Sequence, residues 1–234
     1  MPSEPKRVFD LTETVVAAAG REFRLVHPRS AESLIDEAAF AEDERLPYWA
    51  DIWPSSRVLA DVVGRHQGDG RTALELGCGS GLVACALAVA GYAVTASDYY
   101  ESSIRTTATN VLTNTGVTIT TRLVDWRAMP DDLGRFALVV AADVLYERPY
   151  APLIADAMAA TLAPGGMAMI ADPGRVAFES FVAELAPRGL VVDEAWDVPH
   201  ELDQQRHVIR VRAMRWAPGC GPRAIARPRS APGG

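Results

Sequence analysis

The stretch Thr72–Asp98, TALELGCGSGLVACALAVAGYAVTASD, constrains this chain more than any other. Ala73-Leu74-Glu75-Leu76 is a short, mostly apolar run that suits a buried strand. Glycines at the alternate positions 77, 79 and 81 follow it as a tight turn. Leu82 to Ala90 is apolar almost all round, the pattern of a helix packed on a sheet, and Gly91 supplies its stop. Tyr92 to Ser97 reads as a second strand that ends at Asp98. The unit is βαβ, with its turn at the C-terminal end of the first strand, where open parallel sheets bind ligands. The spacing is not the G-x-G-x-x-G of dinucleotide binders, because Leu82 stands where the third glycine would be. Backbone open to close approach, a helix N-terminus that favours a polar or anionic group, and an aspartate placed to accept from both hydroxyls of a ribose together predict a ribose-bearing ligand.

Composition sets the bounds on that ligand's partners. At 234 residues and 49% apolar, the chain has enough material for one sizeable core. A net charge of −7 argues against a partner gripped through nucleic-acid phosphates. Cys78, Cys85 and Cys220 form no C-x-x-C pair, so neither a zinc site nor a disulfide framework is expected, and no metal is assigned. The opening MPSEPKRVFDLTET has no apolar core of a secretory signal, and no apolar run is long enough to span a membrane. A cytoplasmic protein is expected. His27, His66, His200 and His207 fall in predicted loops or edges and read as incidental.

The remaining elements divide into an N-terminal extension (1–45), a central domain (46–216) and a tail (217–234) rich in Pro, Gly, Ala and Arg that predicts disorder. In the extension, residues 1–10 read as loose, Glu22–Val26 alternates like a strand, and Ser30–Phe40 reads as a helix with Ser30 as its N-cap. Pro47-Tyr48-Trp49-Ala50-Asp51-Ile52-Trp53-Pro54 precedes a helix predicted over Ser55–Arg65. Tyr100–Asn114 reads as a helix with Ile104, Ala108, Val111 and Leu112 inward, and Val117–Val124 as a strand ending at Asp125-Trp126. Phe136–Ala142 is a continuous apolar run, hence a central strand. Charge appears abruptly after it at Asp143, and a carboxylate there costs stability unless it contacts something. Helices over Tyr150–Leu162 and Val176–Leu185 flank a strand at Met167–Ala171 and the segment Asp172-Pro173-Gly174-Arg175. Leu190–Trp196 and His207–Trp216 then predict an antiparallel edge hairpin with Glu201–Arg206 as its polar loop.

Glu75-x-Gly77-x-Gly79-x-Gly81 with Asp98 resembles the cofactor signature of class I S-adenosylmethionine-dependent methyltransferases. The order of elements resembles their α/β fold: a seven-stranded Rossmann-like sheet, mostly parallel with an antiparallel edge hairpin, and helices on both faces. Pro47-Tyr48-Trp49-Ala50-x-x-Trp53-Pro54, Trp126 and Ala142-Asp143-x-x-Tyr146 look like the lysine methyltransferase family related to nicotinamide N-methyltransferase. Within it, Asp172-Pro173-Gly174-Arg175 is most similar to the electron transfer flavoprotein β-subunit lysine methyltransferases. The resemblance covers about residues 45 to 215; Ser55-Ser56 stands where that subfamily tends to have glycines, and residues 1–40 and the tail match nothing in it.

The resemblance implies S-adenosylmethionine as cofactor, contacted by Trp53, Gly77, Cys78, Gly79, Asp98, Trp126 and Ala142. Asp125 would accept from the adenine amine and Trp126 would stack on the ring. Asp143 and Tyr146 are the implied catalytic residues, the first orienting an amine and the second forming part of the channel, and Trp49 joins them against the substrate. The implied partner is a protein substrate, with the electron transfer flavoprotein β-subunit as candidate. Asp143-Val144-Leu145-Tyr146 lacks both prolines of the D/N-P-P-Y/F motif of base-methylating enzymes, which ranks nucleic acid low. The rival readings are another protein residue, a ribosomal protein or a small amine as acceptor, a non-catalytic binding protein on the same fold, and a dehydrogenase, which Leu82 disfavours.

Overall fold

A computed structural model describes residues 9–31, 34, 47–202 and 204–222. The chain opens with strands β1 (Leu11–Ala18) and β2 (Arg21–Pro28), then helix α1 (Pro54–Val63), β3 (Thr72–Leu76), α2 (Leu82–Val89), β4 (Ala93–Asp98) and α3 (Glu101–Thr115). It continues through β5 (Thr120–Leu123), β6 (Phe136–Ala142), α4 (Tyr150–Thr161), β7 (Leu162–Asp172), α5 (Phe178–Leu185), β8 (Leu190–Leu202) and β9 (Gln205–Trp216). The expected helix at Ser30–Phe40, the first residues and most of the expected tail fall largely outside the described residues.

The main sheet has the order β5-β4-β3-β6-β7-β9-β8. Strands β3 to β7 pair in parallel, and β9 runs antiparallel to both of its neighbours. This is the expected seven-stranded, mostly parallel sheet with an antiparallel edge hairpin. Chain order reverses at β3, which has β4 on one side and β6 on the other, so the glycine turn leaves the sheet at its switch point.

Period-two alternation in a strand covered on both faces splits β6 between two cores. Leu138 and Val140 pack with α1 and α2, whereas Val139 and Ala141 pack with α4 and α5. Helix α2 is buried along nearly its whole length, which matches its nearly all-apolar sequence.

Two expectations are corrected. Leu112 is exposed, not inward: the inner face of α3 is built from Ser102, Ser103, Thr107, Asn110 and Val111. That face meets unpaired backbone groups, which require donors and acceptors, not apolar side chains. The edge hairpin is also longer than expected. Its strands pair up to Leu202↔Gln205, and Gln204 takes the positive φ (64°) that a two-residue turn needs. The polar residues expected in a loop continue the ladder, since an edge strand tolerates polar side chains toward solvent.

The strand expected at Glu22–Val26 belongs to a separate two-stranded sheet, β1–β2. Val16, Phe23 and Leu25 join the α1–α2 core. Asn110 and Asn114 of α3 hydrogen-bond both the N–H and C=O of Val26 and Arg24 at 2.8–3.0 Å, so the free edge of β2 is satisfied by side chains. His27 is buried in β2: its Nδ1 lies 2.9 Å from the carbonyl of Ala50 and ties the hairpin to the 3-10 turn Tyr48–Ala50. Among the described residues, no helix is long and apolar enough to cross a membrane, and no group of three or more His, Cys, Asp or Glu side chains is gathered to hold a metal.

Candidate cofactor and acceptor site

The turn after β3 is held from both sides. The N–H groups of Gly77 and Cys78 donate to the carbonyl of Ser97 at 2.9 and 3.0 Å. The carbonyl of Gly79 accepts from Ser103 Oγ (2.8 Å) and Thr107 Oγ1 (3.0 Å), and Asn110 Nδ2 donates to Ser80 O at 2.9 Å. The polar face of α3 thus turns the loop carbonyls away from the sheet edge. Asp98 closes the other side: Oδ2 accepts from Gly79 N at 3.0 Å and Oδ1 from Tyr100 N at 3.2 Å. Burial raises the Asp98 carboxyl above its ordinary value, and the Gly79 and Tyr100 N–H donors oppose that rise.

Ten of the eleven residues assigned from the sequence line one cleft at this edge: Trp49, Trp53, Gly77, Gly79, Asp98, Asp125, Trp126, Ala142, Asp143 and Tyr146. Cys78 does not. Its side chain is 4% exposed with Sγ 3.8 Å from Ser103 Oγ, and its N–H is spent on Ser97. Asp125 lines the cleft, but its carboxylate already accepts from the Arg127 backbone and guanidinium. Tyr48, Tyr100 and Tyr150 also line it and were missed from the sequence. Tyr48 stood inside the Pro47–Pro54 motif without a role of its own, and Tyr100 directly follows Asp98-Tyr99. Tyr48–Tyr146 (5.1 Å), Tyr146–Tyr150 (4.8 Å) and Trp126–Tyr150 (5.6 Å) join the rings into one wall. Burial, then Tyr150, pushes the Tyr146 phenol up, so it stays protonated at neutral pH.

The cleft fits a nucleoside with a flat base. A Cβ on Gly77 would lie 3.0 Å from Val144 Cγ1 and 3.3 Å from the Trp126 ring, so the floor between turn and indole has no room for a side chain. Trp126 Nε1 and Trp49 Nε1 are buried with no hydrogen-bond partner.

A second cavity meets this cleft at Asp51, Trp53 and Asp143 and runs out past Pro173 and Arg175 to Leu202, Gln205 and His207 on the edge hairpin. Asp143 sits at the seam in a left-handed backbone conformation (φ 59°), its N–H donating to Ala171 O at 3.0 Å. Its side chain is 1% exposed. Oδ1 accepts from Arg175 Nε, and Oδ2 is buried without a partner. The Arg175 guanidinium also lies over the Trp53 ring, 5.1 Å from its centroid. Asp172 aims this arginine: its Oδ1 accepts from Gly174 N (2.7 Å) and Arg175 N (2.6 Å). The sequence displayed Asp172–Arg175 as a motif without showing that it reaches Asp143.

Behind the turn, Glu75 is 2% exposed with Oε2 unpartnered. Burial, then Asp98, holds its carboxyl well above 4.5, against an opposing hydrogen bond from the Ala84 backbone. The folded chain therefore binds this proton more tightly than the unfolded chain. The group's stabilising contribution is full below about pH 4.5 and is lost as pH rises toward the raised value. Glu75→Gln removes that loss. The variant is expected to gain on wild type in Tm as pH rises from about 4.5 through the neutral range, by about 1.4 kcal/mol per tenfold difference in proton affinity. A difference in melting that stays flat across that range would contradict this.

Comparison with known proteins agrees with the geometry. Over 147 residues the chain is 29% identical to the ubiquinone biosynthesis O-methyltransferase of Bordetella pertussis (strain Tohama I), a match covering 57% of this chain and 58% of that one. The chain thus spans less than two thirds of that relative. The N-methyltransferase NodS of Bradyrhizobium japonicum WM9, solved with S-adenosyl-L-homocysteine, superposes with a TM-score of 0.56 at 21% identity, covering 78% of this chain and 97% of that one. Magnesium protoporphyrin IX methyltransferase of Synechocystis PCC 6803, solved with S-adenosylmethionine, gives a TM-score of 0.54 at 20% identity and 68% and 78% coverage. Residues 55–218 match the family described as a methyltransferase domain. The chain belongs to that family of methyltransferase domains, and it has the fold of the class I S-adenosylmethionine-dependent methyltransferases.

Proposed function

We propose that the chain is a protein-lysine N-methyltransferase, with the electron transfer flavoprotein β-subunit as the first acceptor to test and the cytoplasm as its setting. One observation carries the choice of an amine. Where the two cavities meet, a buried carboxylate and an indole face already accept a cation, the chain's own Arg175 guanidinium. A carboxylate beside an aromatic face recognises ammonium groups. The second cavity leads to that point from the edge hairpin, as a long side chain on a macromolecule requires.

Asp98, Gly77, Gly79 and Trp126 would hold S-adenosylmethionine, which supplies an electrophilic methyl group on a sulfonium. The chain's own part is to exclude water with the aromatic wall and to bring the amine to Asp143. Tyr146, held as a neutral phenol, shapes the channel and takes no proton.

A second reading has support from the relatives named ubiquinone biosynthesis O-methyltransferase: a phenolic oxygen as acceptor, stacked on the same rings. One assay separates the two. The protein is incubated with methyl-labelled S-adenosylmethionine and either purified electron transfer flavoprotein, a whole-cell protein extract or a catechol. Label on lysine Nζ is expected. Label on catechol oxygen alone overturns the amine reading. No transfer and no cofactor binding by calorimetry would leave a binding protein.

A further inference from the structure

From the Asp143–Arg175 pair we infer that Arg175 is a positioning residue that sets the protonation state of the acceptor amine; this rests on the amine reading above. A lysine amine is a nucleophile only after its proton leaves to water, and its free pKa is about 10.4. A lone carboxylate beside it favours the ammonium, the unreactive form. Asp143 is not alone. Arg175 Nε donates to Oδ1, so the group that orients the amine has its charge balanced by a cation held in place. The placement is built: Asp172 fixes the Arg175 backbone through two N–H donors, and the Trp53 ring fixes the guanidinium plane. Oδ2 is left as the acceptor without a partner.

Other charged and titratable groups face this pair. Asp172 lies below it at the end of β7, and burial raises its carboxyl. Asp51 and Tyr48 lie on the Trp53 side, and Asp98 and Tyr146 lie across the cofactor cleft. His207 of β9 is on the outer rim. Arg210 of β9, paired with Glu179 of α5 at 2.8 Å, borders Gly174. All of these persist when Arg175 alone is changed; of them Asp172, whose carboxyl the Arg175 charge lowers, responds to the change as well, and Arg175→Lys keeps that charge.

The test is the pH profile of kcat/KM for lysine methylation by wild type, Arg175→Met and Arg175→Lys, with S-adenosylmethionine affinity measured by calorimetry for each. Arg175→Met leaves Asp143 uncompensated, and the alkaline rise in rate is expected to move up by about one pH unit. Below that rise the rate falls about tenfold. Cofactor affinity is expected to stay within about threefold of wild type. Arg175→Lys restores the cation and is expected to return the profile toward wild type. An unshifted profile in Arg175→Met overturns the inference, whether KM stays the same or falls because the arginine merely blocked the cavity. A lost cofactor affinity overturns it too, by showing a structural role. Failure of wild type to methylate any amine overturns the amine reading itself and this inference with it.

Discussion

Replacing Asp98 by alanine is expected to weaken S-adenosylmethionine binding by about 10²- to 10³-fold, the largest loss from any single change in the cleft. Both carboxylate oxygens already accept backbone N–H groups, from Gly79 and Tyr100. An ionised carboxylate offers about four acceptor positions, which ribose hydroxyls would share with the protein's own donors. Alanine removes the ribose acceptors and takes from the Gly79 and Tyr100 N–H groups a partner that is itself only 7% exposed. Hydrogen bonds to a charged group are worth about 1.5–3 kcal/mol each, so losing them reaches about 3–4 kcal/mol, or the stated factor in Kd. Asp98→Asn keeps one acceptor oxygen and is expected to fall between alanine and wild type. Calorimetric titration checks both; an alanine variant within about threefold of wild type would remove Asp98 from the cofactor site.

The second large effect concerns folding. Gly81→Val is expected to lower stability by about 3–5 kcal/mol. Gly81 has φ 90°, and a Cβ there would lie 3.0 Å from Thr107 Cα, Cγ2 and Oγ1. A β-branched residue is strained in that conformation by about 1–3 kcal/mol, and the clash is with the backbone of α3, which cannot swing aside. Gly116 provides the control: its φ is 71° but nothing lies within 4 Å of an added Cβ. Gly116→Val should therefore show the backbone cost alone. Thermal melts of the two variants decide the matter; equal losses would mean that contact with α3 adds nothing at Gly81.

The sheet was legible because its strands are buried on both faces. Phe136–Ala142 and Ala73–Leu76 need no partner to be recognised as central strands, and the glycine turn between strand and helix marks the ligand edge. What stayed hidden depends on pairing across the chain. The polar inner face of α3 reads as a mistake in an apolar stripe until Asn110 and Asn114 are seen to complete the edge of β2. Leu112, which fits the apolar pattern, faces solvent for the same reason. In the site, residues that local spacing brings to the sheet edge, such as Asp98 and Asp143, could be singled out, and they line the cleft. The link between Arg175 and Asp143 was not legible, because it is a contact across 32 positions of chain. Cys78 shows a further gap: membership of a glycine motif says nothing about which way a side chain turns, and this one turns away from the cleft toward Ser103.

The most direct test is Asp143→Ala with two readouts, calorimetric affinity for S-adenosylmethionine and mass-spectrometric detection of lysine methylation. The variant should fold, since Arg175, with its side chain 29% exposed, can turn to solvent once its partner is gone. Cofactor affinity is expected within about threefold of wild type, with methyl transfer down by about 10²-fold or more because the amine is no longer oriented. Transfer to lysine at close to the wild-type rate would contradict a site in which the acceptor amine meets the cofactor cleft at Asp143.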